Sequence, residues 1–211
     1  RMYIMENQRN AGTNIDPVIE YLESALGSRR YSSLNIVEVG TAYGGTSNRL
    51  MDTFTKATLW AVDPLLPEHF HGLEGYRRRV GSMTADAFSG NWSLCLMQNG
   101  QLRYGCRYQQ LQMSTQSAAP LFPSNFFDLA FMTQLHKYQG NLADVFAWLP
   151  HMRRPGGILI FNEYANCSKS CFLGVERAIT DWIIASNHSK SFVVGSSAMP
   201  PGEGNAAIVF D

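Results

Sequence analysis

The run Glu38-Val39-Gly40-Thr41-Ala42-Tyr43-Gly44-Gly45-Thr46-Ser47 puts a carboxylate directly ahead of a glycine-rich turn. Glycine lets a chain turn tightly and lets a ligand approach the backbone. A helix starting there would offer its amide end to polar or negative groups. The spacing G-x-x-x-G-G is not the G-x-G-x-x-G of nicotinamide dehydrogenases, and the lysine of a phosphate-binding P-loop is missing. On its own the turn reads equally as a purely structural one. A second carboxylate, Asp63, closes the apolar run Leu59-Trp60-Ala61-Val62, 23 positions beyond Gly40. There an acidic side chain can accept both ribose hydroxyls of a nucleoside cofactor. Asp63-Pro64 is also an ordinary way to start a loop, and the interval from the glycine turn favours the ligand reading. His136 is the third group. Its ordinary pKa near 6.5 would let it take a proton at neutral pH, help typically worth about 10²–10⁴-fold, unless it merely packs or bonds locally.

Further pieces enclose these groups: Phe127-Asp128-Leu129-Ala130-Phe131-Met132, then Thr133-Gln134-Leu135-His136-Lys137-Tyr138, Trp148-Leu149-Pro150, and Arg154-Pro155-Gly156-Gly157 leading to Asn162-Glu163-Tyr164. With the glycine turn and Asp63, they make the chain resemble the class I S-adenosylmethionine-dependent methyltransferases. From about Leu34 to Ile184 it resembles their macrocin-type, family 24-like branch of sugar and small-molecule O-methyltransferases. In that branch one strand ends in a D-G-D-H-x-Y-like motif, and a later "PGG" strand ends in acidic residues.

The resemblance implies a Rossmann-like, doubly wound α/β domain: a seven-stranded, mostly parallel sheet with an antiparallel last strand and helices on both faces. It implies S-adenosylmethionine as cofactor, contacted by Glu38, Gly40, Thr41, Tyr43, Gly44, Thr46 and Ser47, by Asp63 and Pro64, by Ser114 beside Met113 where the family meets adenine, and by Thr133. The implied reaction is methyl transfer to a small-molecule hydroxyl by in-line displacement, a reaction in which the protein mainly aligns the acceptor and excludes water. His136 is the candidate base, and Tyr138 is expected to pack. The chain departs from the branch at Thr133-Gln134-Leu135, where the family carries acidic residues ahead of the histidine. Asn162 and Glu163 remain as weak metal candidates, and a divalent metal is not expected. The same departure motivates an alternative, a methyltransferase-like binding or scaffolding protein whose catalytic motif has decayed.

The elements that must position these residues follow from periodicity. Asp16-Pro17 starts a helix over about 15–27, and Ser47–Thr55 and Val175–Ile184 read as further helices. Leu142, Val145, Phe146, Leu149 and Met152 form the apolar stripe of another helix, opened by Asn141. Leu34–Val39, Thr58–Val62, Arg107–Leu111, Phe126–Met132 and Gly157–Phe161 read as strands, with Ser191–Gly195 and Ala206–Phe210 as a closing pair. Buried strands alternating with helices indicate a mostly parallel α/β sheet with its ligand beyond the carboxyl ends of the strands. The segment 72–105 lacks clean periodicity, and a cap over the site and a surface excursion are equally open readings.

The whole of 1–211 reads as one domain, because 211 residues suffice for one well-packed core. Seventeen Lys and Arg balance 17 Asp and Glu for a net charge of +0, which argues against a nucleic-acid partner and favours a small acceptor. No apolar run is long enough to span a membrane, and no leader pattern opens the chain. Cys95, Cys106, Cys167 and Cys171 form no CxxC pair, so buried or half-buried thiols in the cytoplasm are expected. Glu68-His69-Phe70-His71 and Arg77-Arg78-Arg79 are read as exposed loop and solvated face. Oligomeric state is not legible.

Overall fold

The computed structural model describes residues 15–41, 44–64, 100–133, 138–165, 173–186, 191–194 and 204–210. In chain order the main elements are α1 (Asp16–Leu26), β1 (Asn35–Val39), α2 (Gly45–Thr53), β2 (Thr58–Val62), β3 (Tyr108–Leu111), α3 (Thr115–Ala118), β4 (Leu129–Met132), α4 (Tyr138–Trp148), β5 (Ile158–Ala165), α5 (Leu173–Ser186), β6 (Ser191–Val194) and β7 (Gly204–Val209). The sheet runs β3-β2-β1-β4-β5-β7-β6. Strands β1 to β5 pair in parallel, and β7 lies antiparallel between β5 and β6. The chain therefore steps outward from β1 to β3 and returns to β4 on the other side of β1. That reversal opens a crevice at the carboxyl ends of β1 and β4, where open α/β sheets bind ligands.

The strands form where the sequence is β-branched or aromatic and can be covered on both faces. Successive side chains alternate between two cores. Ile36, Leu59, Ala61, Tyr108, Phe131 and Ile160 pack with Val18 and Leu22 of α1 and Leu50 and Met51 of α2. Val37, Val39, Val62, Ala130, Met132 and Phe161 face Val145 and Trp148 of α4 and Ile179 and Trp182 of α5. At the amino edge of the sheet, away from the crevice, buried Asp128 receives Arg29 at 2.6 Å, Arg153 at 3.1 Å and the Asn35 amide at 2.9 Å. A buried carboxylate is costly unless compensated in this way, so the trio fixes β4 against β1 at that end.

Three expectations need correction. Strand β4 starts at Leu129 rather than Phe126, because Phe126 and Phe127 join an aromatic cluster with Trp60, Phe122 and Trp148. Helix α4 starts at Tyr138, so Asn141 lies inside it instead of capping it, and its buried face is Asn141, Asp144, Val145 and Trp148. Phe146 is 60% exposed: the apolar stripe was assigned one position off, since the helix turns polar Asp144 inward to meet α3. Cys106 is an exposed free thiol in the turn ahead of β3, not a buried one. Residues 72–99, with the Arg77 triplet, and Glu68 to His71 lie outside the described residues, whereas 100–104 are helical. Among the described residues no helix is long and apolar enough to cross a membrane.

Candidate functional site

Backbone hydrogen bonds carry the sheet one residue past the strand ends and draw three predicted residues together. The Gly40 amide donates to the Val62 carbonyl at 2.8 Å, the Asp63 amide to Leu111 at 3.1 Å, and the Thr133 amide to Val39 at 2.8 Å. Gly40, Asp63 and Thr133 therefore sit on adjacent strands at the mouth of the crevice. Gly40 adopts φ +87°, and a Cβ there would stand 3.0 Å from Thr133 Oγ1 and 3.1 Å from its backbone carbon and oxygen. Only glycine suits both the conformation and the space. The Thr133 hydroxyl donates to the Gly40 and Val39 carbonyls, binding the start of the turn to β4.

Beyond Gly40 the chain closes tightly. The Gly44 amide donates to Thr41 at 2.8 Å, Gly44 takes φ +74°, and α2 begins at Gly45. Thr41 is buried, and its hydroxyl has no hydrogen-bond partner among the described residues. A buried polar group normally finds a partner, and this hydroxyl is covered without one among the described residues. Thr46 is half-buried in the first turn of α2, and Pro64 is half-buried after Asp63.

Glu38 and Ser47 lie under this turn. Both are buried, and the Ser47 hydroxyl donates to Glu38 Oε2. Burial pushes the Glu38 carboxyl up to about 8, and the neighbouring Asp63 charge adds to the effect while the Ser47 bonds oppose it. Tyr108 completes the layer from β3. Its hydroxyl donates to Gln110 Oε1 at 2.9 Å, and the Gln110 amide donates to the Ala61 carbonyl at 3.1 Å. Burial, then the proximity of Glu38, raises the Tyr108 phenol far above its ordinary value.

Other predicted residues stand apart from this arrangement. Ser114 is exposed after β3, and its hydroxyl caps α3 by accepting the Ser117 amide at 3.2 Å. Tyr138 donates an exposed hydrogen bond to Asp181 of α5 at 2.8 Å. Asn162 is buried on β5, one residue past the Phe161–Met132 pairing, so it lies level with Thr133. The side chain of Glu163, and all of Tyr43 and His136, lie outside the described residues. Among the described residues no three His, Cys, Asp or Glu side chains gather as a metal cluster.

Sequence reasoning missed Tyr108 and Gln110, although two polar residues spaced two apart in the strand Tyr108-Gln109-Gln110-Leu111 were a signal that one face meets polar company. It also missed Asp144, which accepts from Thr115 and, at 2.5 Å, from Gln116. Burial raises that carboxyl to about 6.

The model of a methyltransferase domain family matches residues 37–164, a span that runs from within β1 into β5 and holds Glu38, Gly40, Asp63, Tyr108 and Thr133. No curated protein matches the chain. Among solved structures, it resembles an O-methyltransferase from Bacillus cereus in complex with S-adenosylhomocysteine: 16% identity, 99% of this chain and 91% of that one, TM-score 0.58. An O-methyltransferase of tomaymycin synthesis from Streptomyces achromogenes, in complex with S-adenosylmethionine, shares 15% identity over 92% of this chain and 79% of that one, TM-score 0.57. A Burkholderia thailandensis 1,6-didemethyltoxoflavin-N1-methyltransferase, holding that compound and S-adenosylhomocysteine, shares 12% identity over 93% and 78%, TM-score 0.57. At these identities the likeness is one of fold.

Proposed function

The chain belongs to the methyltransferase domain family, and from that premise we propose that it transfers a methyl group from S-adenosylmethionine to a hydroxyl of a small molecule. The observation that carries this reading is the meeting of the Gly40 turn, Asp63 and Thr133 where the strand order reverses, inside the matched span. The residues present suit the cofactor. Gly40 lets the chain turn sharply at the crevice, the Thr41 hydroxyl lacks a partner among the described residues, and Asp63 brings a carboxylate to the same edge. Gly40, Thr41, Tyr43, Gly44 and Thr46 would hold it at the turn, with Glu38 and Ser47 beneath. Asp63 would accept its ribose hydroxyls, next to Pro64, with Ser114 and Thr133 at the flanks.

When bound, the cofactor supplies a methyl carbon activated by its sulfonium. The chain's own work is to align the acceptor, exclude water and remove the acceptor's proton as the new bond forms. His136, three positions past Thr133, is the residue proposed to take that proton. The +0 net charge supports a small acceptor over nucleic acid, and the neighbours from Bacillus cereus and Streptomyces achromogenes support oxygen as the methylated atom.

A second reading, a cofactor-binding protein without turnover, draws on Thr133. Its hydroxyl is already spent on backbone carbonyls where the resembled branch carries an acid. The two divide on catalysis. Incubation with methyl-labelled S-adenosylmethionine and a small-molecule extract should label an acceptor, and that labelling should collapse in His136→Ala. Binding without transfer to any acceptor would favour the second reading, and no binding at all would end both.

A further inference from the structure

We propose that Asp144 is a positioning residue for the cofactor: from α4 it holds the first two residues of α3, and through them it fixes the 112–114 turn that bounds the crevice on its β3 side. The inference rests on the cofactor reading above and deepens it.

Helix α4 runs against the usual amphipathic rule. Asp144 is its one charged residue, yet it is 2% exposed, while Phe146 two positions on is turned out. A buried carboxylate is costly unless it is compensated, and buried Asp128 receives two arginines, Arg29 and Arg153. Asp144 receives no cation among the described residues. Its Oδ1 instead accepts from the Thr115 hydroxyl and, at 2.5 Å, from the Gln116 amide, and its Oδ2 has no hydrogen-bond partner among them. Two neutral donors compensate a buried charge poorly. Coming from successive residues, they do fix the start of α3 against α4 in both distance and direction.

The turn ahead of α3 is short and tied at both ends. Only 112–114 separate α3 from β3, which ends at Leu111. The Leu111 carbonyl accepts the Asp63 amide at 3.1 Å and the Met113 amide at 3.0 Å, so one atom joins Asp63 to the turn. At the far end the Ser114 hydroxyl is committed to α3, donating to Ser117 Oγ at 2.8 Å and accepting the Ser117 amide at 3.2 Å. Thr115 and Gln116 follow directly, held on Asp144. The turn therefore hangs between Asp63 and Asp144. With the ribose hydroxyls at Asp63 and the methyl-bearing end toward Gly40 and Thr133, the strand order leaves the β3 side to the cofactor's base. The turn that Asp144 sets is the surface this base would meet.

A split between stability and affinity tests the assignment. Asp144→Leu removes the acceptor, keeps the volume and takes an uncompensated charge out of the interior, so its urea midpoint at pH 7 should be no lower than that of wild type. If the freed turn holds the binding geometry a tenth of the time, its apparent affinity for S-adenosylhomocysteine should nonetheless fall about tenfold. Thr115→Val, which removes one of the two donors from the other side, should weaken binding by about threefold. Thr115→Ser, which keeps the hydroxyl, should bind within about twofold of wild type. Combined, Asp144→Leu and Thr115→Val should lose no more than Asp144→Leu alone, because both break the same bond.

Hydrogen exchange in the free protein supplies a readout independent of binding. The Met113 and Ala118 amides, bonded to the Leu111 and Ser114 carbonyls, should lose protection in Asp144→Leu, while the Gly40 and Thr133 amides keep theirs. The proposal is overturned if Asp144→Leu binds S-adenosylhomocysteine as tightly as wild type, or if Thr115→Ser binds as weakly as Thr115→Val. It is also overturned if Met113 and Ala118 keep their protection in Asp144→Leu. Should wild type bind no cofactor, the functional reading falls while the exchange data still decide whether Asp144 holds the turn.

Discussion

Replacing Gly40 with alanine tests the geometry of the turn most sharply, because two separate penalties coincide there. At φ +87° an L-residue is strained, by about 1–2 kcal/mol. The new methyl would also meet the Thr133 carbonyl at 3.1 Å, and Thr133 is held in place by the bond of its amide to Val39. Forcing such a group aside adds about 1–2 kcal/mol, comparable to mild overpacking. The sum, about 2–4 kcal/mol, should lower Tm by about 5–15 °C in a domain of this size. Gly105→Ala is the internal control. Gly105 has φ +62° but nothing within 4 Å of its Cβ position, so it should show the backbone penalty alone. Thermal denaturation of both variants, followed by titration with S-adenosylhomocysteine, separates the effects: Gly40→Ala should lose more than tenfold in affinity and Gly105→Ala none. If Gly40→Ala were no less stable than Gly105→Ala and bound ligand as wild type does, the close approach of the turn to Thr133 would be wrong.

Asp63→Asn should weaken cofactor binding by roughly 30–150-fold, the value of about 2–3 kcal/mol for a charge-assisted hydrogen bond, which calorimetry would read directly. His136→Ala should lower the turnover rate by about 10²–10⁴-fold while leaving the calorimetric affinity for S-adenosylhomocysteine unchanged; a matching loss of affinity would make His136 a binding residue instead. Asp144 has its folded pKa raised to about 6 from an ordinary value of 3.8, so the stability it contributes is full below the lower figure and is lost as pH rises through the higher one. Urea midpoints should therefore fall between pH 4 and pH 7 in wild type, and less so in Asp144→Asn.

Much of the frame was legible because it rests on short-range signals. Runs such as Thr58–Val62 are apolar, β-branched and too short for helices, and the glycines at 40 and 44 break the chain where the structure turns. The interval from Gly40 to Asp63 foretold that both would reach one edge, since one helix and one parallel strand must separate them. What stayed hidden depends on partners distant in sequence. Phe126 and Phe127 look like strand residues until Trp60 and Trp148, distant in sequence, draw them into an aromatic cluster. The α4 stripe was misassigned because Phe146 is apolar but exposed, while Asp144 is charged but turned toward Thr115. Glu38 was legible as a candidate, yet its burial and its bond to Ser47 depend on how a helix docks, which periodicity does not encode.

The central claim is that the crevice at Gly40, Asp63 and Thr133 holds S-adenosylmethionine, and isothermal titration with S-adenosylhomocysteine tests it most directly. The expected result is saturable one-to-one binding to wild type that Asp63→Asn sharply weakens. Absence of saturable heat up to about 1 mM ligand, a bound of roughly 4 kcal/mol on any binding, would contradict it, as would tight binding that Asp63→Asn leaves untouched.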